Sequence, residues 1–278
     1  MENKHHRGRR KKKMAGPIVS NVILVVAIGV FLFSGFKLYE IFSEYRKGEN
    51  EYNSLKDIAI QTNTPEVSEE VQEEFKVDFE KLKGMNPDVV GWIRFDEPSQ
   101  ISYPVVKGPD NDKYLKTTFE GKRNAAGSLF MDVDNEADFS DKNTFIYGHN
   151  MKNGSMFAGL REYKAKAYWE KNPYFYIYTP DGKETVYQIF SVSIVKDTSE
   201  SYQKWYNSDG EYQEYLTHIK SASRYQTGVE VSVDSQIVSL STCTNVSDDE
   251  RLLVHGVKVN ERLAEEETFD SEVDVAEE

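Results

Sequence analysis

Residues Pro17 to Phe36 carry no charge and follow seven cations, Lys4, Arg7, Arg9, Arg10, Lys11, Lys12 and Lys13. At ~1.5 Å rise per residue, about 20 apolar residues span roughly 30 Å, the hydrocarbon thickness of a bilayer. The run ends in "FSGFKLYEIF" without the small-residue exit of a cleaved leader, so it reads as a retained anchor rather than a long signal peptide. Positive charge stays on the cytoplasmic side, which predicts a single-pass chain of the cell membrane with its N-terminus inside and everything after Lys37 outside.

Charge sharpens this reading. The chain has a net charge of -13, and residues 1 to 36 hold seven Lys/Arg against one Asp/Glu, or +6, leaving -13 - 6 = -19 for the remainder. Nucleic-acid binding needs cationic stripes, so no nucleic-acid partner is expected. Much of the acid is local: "TNTPEVSEEVQEEF" and the tail "LAEEETFDSEVDVAEE" are too polar to build a core. The expected organisation is a basic cytoplasmic segment (1–16), a transmembrane anchor (17–36), an extracellular stalk and linker (37–74), a folded body (75–262) and an acidic disordered tail (263–278). Within the stalk, Leu38 to Ile60 reads as helix and Thr62 to Ser68 as linker.

The body alternates with a period near two in eight segments: "WIRF", "ISYPVVKG", "GSLFMD", "TFIYGH", "YFYIYTP", "ETVYQIFSVSIV", "SQIVSLSTC" and "RLLVHGVKV". Separated by Gly, Pro, Asn and Asp, they predict a mainly β fold closed, or nearly closed, into a barrel. A short helix is expected before Pro87, with a strand entered at Trp92. Two further helical patches interrupt the strands, "SMFAGLREYKAKAYWEKNP" and "SDGEYQEYLTHIKSAS". The second puts Tyr212, Tyr215, Leu216 and Ile219 on one face, a stripe better suited to core packing than to a ligand, with Asp209 as its cap.

Cys243 is the only cysteine, so no internal disulfide is available to a chain exported to an oxidising space. It is either a small buried hydrophobe or a reactive thiol. If "SQIVSLSTC" and "RLLVHGVKV" form a hairpin, Cys243 and Arg251 sit at facing ends, about 4.5 to 5.5 Å apart. The loop Thr244 to Glu250 is polar, which puts the thiol at a rim. A thiol beside a permanent cation ionises more readily and suits nucleophilic chemistry.

Five histidines are candidates for the base. His5 and His6 fall on the cytoplasmic side; His218 sits in a helical patch with a structural role; His255 lies along the strand opposite Ser239 rather than Cys243. That leaves His149, the last residue of "TFIYGH", ahead of a Gly-containing loop.

"YGHNM", "LSTC" and "RLLVHG", in this order behind an N-terminal anchor, resemble the sortases over roughly Phe75 to Val259. The long, helix-bearing loop before the cysteine strand looks like class B. The resemblance implies an eight-stranded β-barrel with N-terminal helices and a helix in the long loop between the sixth and seventh strands. It also implies a membrane-tethered cysteine transpeptidase of a Gram-positive surface, working without cofactor or metal. Such an enzyme cleaves a C-terminal sorting signal after Thr, holds the acyl group as a thioester and passes it to an amine of a peptidoglycan precursor or a pilin. By position Cys243 resembles the nucleophile, His149 the acid/base and Arg251 the cation at the carbonyl oxygen. The same resemblance offers Asn111 and Leu115 for one wall of a peptide groove and Thr198 and Tyr202 for the other, with Ser241 and Thr242 beside the thiol. The acidic tail is something the family does not need.

Two other classes compete. A cysteine hydrolase would release free acid; papain-like enzymes place Cys before His, the reverse of this order, and the S-x-G-C-x-R run of L,D-transpeptidases is absent. A non-enzymatic surface module would leave Cys243 buried and inert. Asp132 and Asp134 read as a turn rather than a calcium site, which needs six or more oxygens. The triplets at Asn153 and Asn245 match a glycosylation acceptor only by chance.

Overall fold

A computed structural model describes residues 16–62, 75–244 and 246–263. The basic segment before Gly16, most of the acidic linker, Asn245 and the acidic tail lie outside them. The chain divides into two units, 1–46 and 47–278. One helix, α1 (Gly16–Ala59), contains the apolar run, and among the described residues it is the one helix long and apolar enough to cross a membrane.

The second unit begins at Lys47, well ahead of Phe75. The reason is the last turns of α1: Tyr52, Leu55 and Ala59 are buried at helical spacing. The Tyr52 hydroxyl donates to the Gly127 carbonyl at 2.5 Å, and its ring meets Tyr103 edge-on at 5.3 Å. These residues belong to the folded body, not to a solvated stalk. Two short strands, β1 (Ile60–Thr62) and β2 (Phe75–Val77), pair antiparallel across the acidic stretch. Helix α2 (Phe79–Met85) follows, capped by Asp78, whose carboxylate accepts the Lys81 N–H at 3.0 Å.

All eight alternating segments are strands, and they close into one barrel. They are β3 (Val89–Arg94), β4 (Ser102–Val106), β5 (Leu129–Met131), β6 (Asn143–Tyr147), β7 (Tyr174–Tyr178), β8 (Lys183–Lys196), β9 (Ile237–Cys243) and β10 (Glu250–Leu263). Strand β3 starts three residues before Trp92. Around the barrel the order is β10-β8-β7-β3-β4-β5-β6-β9; the β4/β5 and β6/β9 pairs are parallel and the others antiparallel. Inward-facing residues such as Ile93, Val105, Ile146, Leu240 and Val254 are fully buried.

The first helical patch is mostly a 3-10 helix (Phe157–Lys164), with a short α3 (Lys166–Trp169). Phe157, Ala158, Gly159 and Leu160 are consecutive and all buried, which no single face of an α-helix permits. The second patch is α4 (Asp209–Ser221), in the connection between β8 and β9, the sixth and seventh barrel strands. Its stripe of Tyr212, Tyr215, Leu216 and Ile219 joins Phe190, Ile237 and Val257 in a core on the barrel's outer face. The cap is Ser208 rather than Asp209: its hydroxyl accepts the Glu211 N–H at 3.2 Å, and Asp209 is the first helical residue.

If the end of α1 is part of the body, Leu55→Ala should cost about 2–5 kcal/mol in urea unfolding, as for other buried leucines. A loss below about 0.5 kcal/mol would mark the segment as solvated after all.

Candidate active site

Strand β9 lies between β6 and β10, and the two registers bring the candidate residues to one edge. Arg251 is directly opposite Cys243 in the antiparallel β9/β10 pair. In the parallel β6/β9 pair Tyr147 is level with Ser241. The ladder continues with the Gly148 N–H donating to the Ser241 carbonyl at 3.1 Å. This pairing carries the chain past the end of β6 to His149, two residues beyond Tyr147. The Asn150 side chain reinforces it by donating to the Cys243 carbonyl at 2.8 Å. His149, Cys243 and Arg251 all line one cavity of about 240 Å³, and the thiol is half-buried at its rim.

Each side chain is held by a different element. His149 Nε2 lies 2.7 Å from the Leu115 carbonyl oxygen. A carbonyl only accepts, so Nε2 carries the proton and Nδ1 is the basic nitrogen of the neutral ring. Arg251 donates through Nη1 to the carbonyls of Asp248 (2.7 Å) and Glu250 (3.1 Å), and through Nη2 to Asp197 at 3.2 Å. The guanidinium is thereby fixed by the β9–β10 turn and by the end of β8.

The groove residues divide. Asn111, Leu115, Ser241 and Thr242 all line the cavity with the three. Tyr202 supports it from outside the lining: its hydroxyl shares a 2.7 Å hydrogen bond with Ser241 Oγ, and its ring stacks on Phe145 at 5.5 Å. Burial pushes the Tyr202 phenol up to about 12, so it stays a neutral partner for Ser241 at physiological pH. Thr198 is exposed in the turn after β8 and does not line the cavity. Ser241 and Cys243 share a strand face, whereas Thr242 points the other way; its hydroxyl is buried and has no hydrogen-bond partner among the described residues.

Sequence reasoning overlooked Phe130 and Tyr147, which also line the cavity. Tyr147 was within reach, because it precedes His149 by two residues and so shares its face. Phe130 pairs with Tyr147 across β5/β6, their rings 5.3 Å apart, a contact no local pattern reveals. Gly148, between Tyr147 and His149, is required by close approach. A Cβ there would lie 2.3 Å from Leu129 Cδ2 and 2.6 Å from Phe157 Cδ2, both buried.

The other two described histidines, His218 and His255, occupy structural positions. His218 is half-buried, with Nε2 3.1 Å from Ser201 Oγ. His255 is opposite Ser239, fully buried, with Nδ1 2.7 Å from Ser239 Oγ. Ser239 Oγ donates to Asn143 Oδ1 at 2.7 Å, so it accepts from His255 Nδ1–H. Asn143 in turn donates to the Tyr215 hydroxyl at 2.9 Å, which ties α4 to the barrel wall behind the cysteine strand. Burial lowers the His255 pKa from 6.5 to about 3.

Gly148→Ala should destabilise by about 1–3 kcal/mol, the range of overpacked cores, read from the urea midpoint; an unchanged midpoint would refute the close approach. For His255 the folded-state pKa is the depressed one, so the unfolded chain binds the extra proton. Its contribution to stability is complete above about pH 6.5 and falls away between about 6.5 and 3. A His255→Gln variant should show a shallower loss of stability over that window, measured as the difference from wild type at each pH.

Comparisons agree with this geometry. Residues 97–259 match the Sortase domain family. Sortase B of Listeria monocytogenes is 34% identical over 239 residues, covering 84% of this chain and 94% of that protein. Sortase B of Staphylococcus aureus is 32% identical over 227 residues, covering 81% and 88%. The crystal structure of sortase B from B. anthracis in complex with AAEK1 superposes with a TM-score of 0.68 at 32% identity, covering 79% of this chain and all of that one. A Staphylococcus aureus sortase B–substrate complex gives 0.61 at 31%, covering 66% and 84%. The chain belongs to the sortase family, among its class B members.

Proposed function

We propose that the protein is a cysteine transpeptidase of a Gram-positive cell surface, held in the membrane by the Pro17–Phe36 segment with its barrel outside. It joins surface proteins or pilins bearing a C-terminal sorting signal to an amine of a peptidoglycan precursor or pilin. The observation that carries this reading is one cavity lined by His149, Cys243 and Arg251, with Arg251 directly opposite Cys243 and His149 just past the end of the neighbouring strand β6. Family membership supplies the reaction class.

The chemistry needs only those three groups. Cys243 Sγ attacks the carbonyl carbon after the signal's Thr, and the thiol proton passes to His149 Nδ1. Negative charge develops on the carbonyl oxygen, where Arg251 stabilises it. As the C–N bond breaks, the imidazolium returns its proton to the leaving amine, and the acyl group remains on sulfur as a thioester. An incoming amine then attacks the thioester, losing its proton to His149, and the Cys243 thiol is regenerated as the new amide leaves. The Leu115 carbonyl supports both stages, because it accepts from Nε2–H of the imidazole and more strongly from the imidazolium.

Cys243→Ala should abolish cleavage of a sorting-signal peptide with the fold intact by circular dichroism. His149→Ala and Arg251→Ala should each lower kcat/KM by about 10²-fold or more. Mass spectrometry with an added amine separates the readings: ligated peptide means transfer, free acid alone means hydrolysis. Retained turnover in Cys243→Ala would leave the thiol incidental.

A further inference from the structure

Asp132 follows β5, is 1% exposed, and receives donors from four parts of the chain. Its Oδ2 accepts from the Tyr147 hydroxyl at 2.7 Å and from Asn111 Nδ2 at 3.3 Å. Its Oδ1 accepts from the Lys204 ammonium at 2.9 Å and the Asp134 N–H at 3.0 Å. Burial pushes the carboxyl up, but the Asp134 amide, the Tyr147 hydroxyl and Lys204 together hold it below the usual carboxylate range. The site is therefore a stable buried anion with its lone pairs occupied.

Those donors come from segments that line the cavity and from one that backs it. Asn111, whose own Oδ1 accepts the Val133 N–H at 2.9 Å, precedes the 3-10 turn Lys113–Leu115 that holds His149. Lys204 comes two residues after Tyr202, the partner of Ser241, and makes a second ion pair with Asp134 at 2.6 Å. Tyr147 is on the groove floor. None of these contacts reaches the thiol.

We propose that Asp132 is a positioning residue that joins the Asn111–Leu115 wall of the cavity to the Tyr202–Lys204 segment backing Ser241, and through that link sets how tightly the acyl-donor peptide is held. The proposal rests on the transpeptidase reading for the identity of the peptide, but the link between the two segments does not. Without Lys204 the buried Asp132 carboxylate loses its cation, and without Asp132 the half-buried Lys204 ammonium keeps only Asp134, so either change should loosen the β8–β9 connection.

The test uses the whole protein, a sorting-signal peptide turned over by the wild type, and Asp132→Asn, Lys204→Met, Lys204→Arg and the Asp132→Asn/Lys204→Met double variant. Both single neutral variants should raise KM for the donor peptide by about tenfold with kcat within about threefold. The double variant should be no worse than either single, because the two residues act as one unit. Lys204→Arg keeps the cation and should restore KM to within about threefold of wild type. Amide exchange should quicken in residues 109–115 and 197–208 of the neutral variants while β9 and β10 keep their protection. Unchanged KM, unchanged exchange in those two segments, or loss of protection spread through the barrel would each overturn the proposal. If the wild type turns over no sorting peptide, the transpeptidase reading fails, while the exchange measurement still decides whether Asp132 joins the two segments.

Discussion

The parallel pairing of β6 with β9 is the constraint on which the rest of the structure turns. Parallel neighbours cannot be joined by a tight turn, so a long stretch of chain must run between Tyr147 and Ile237. On the way it builds β7 and β8, which close the barrel, and α4, which covers the outer face of the cysteine strand. Because β6 and β9 run the same way, their C-terminal ends share one edge; because β10 runs back, its first residues share that edge too. Strand pairing thus brings a thiol and a guanidinium face to face, and the Asn150 side chain and the Leu115 carbonyl complete the placement of the imidazole.

The long connection would be loosely held if only backbone joined it to the barrel, and two buried polar centres prevent that. Behind the cysteine strand, His255, Ser239, Asn143 and Tyr215 form a neutral chain in which donors and acceptors follow one another in a single direction. Beside the groove, Asp132 gathers Asn111, Tyr147 and Lys204 around one anion. The first ties α4 to the wall by hydrogen bonds without charge; the second ties loop to loop by charge that burial strengthens. Arg251 obeys a similar rule at the rim, where two carbonyls and Asp197 fix its plane but leave it partly open to solvent.

Much of this was legible beforehand because strand patterns are local. Period-two alternation located every barrel strand, and a single assumption, that the last two pair as a hairpin, placed Arg251 opposite Cys243 and His255 opposite Ser239. Helical segments were harder. The Phe157–Lys164 stretch has helix-forming composition, yet it winds as a 3-10 helix with Phe157 to Leu160 all buried. The end of α1 looks like a polar stalk letter by letter, and only the cleft that receives Tyr52 and Leu55 shows that it is core. Thr198 and Tyr202 were equivalent as sequence, but one is exposed in a turn while the other meets Ser241.

The sequence by itself determined the apolar membrane-length segment, the number and position of the barrel strands, and the three side chains proposed for thiol chemistry. These depend on composition, on periodicity and on the reactivity of individual side chains, all of which are properties of short stretches. Only the tertiary structure decided that His149, Cys243 and Arg251 line one cavity, that Phe130 and Tyr147 share it, and that Asp132 holds both Asn111 and Lys204. Those relations arise from the register of strands distant in the chain and from buried charges that need partners, and neither is encoded within any one segment.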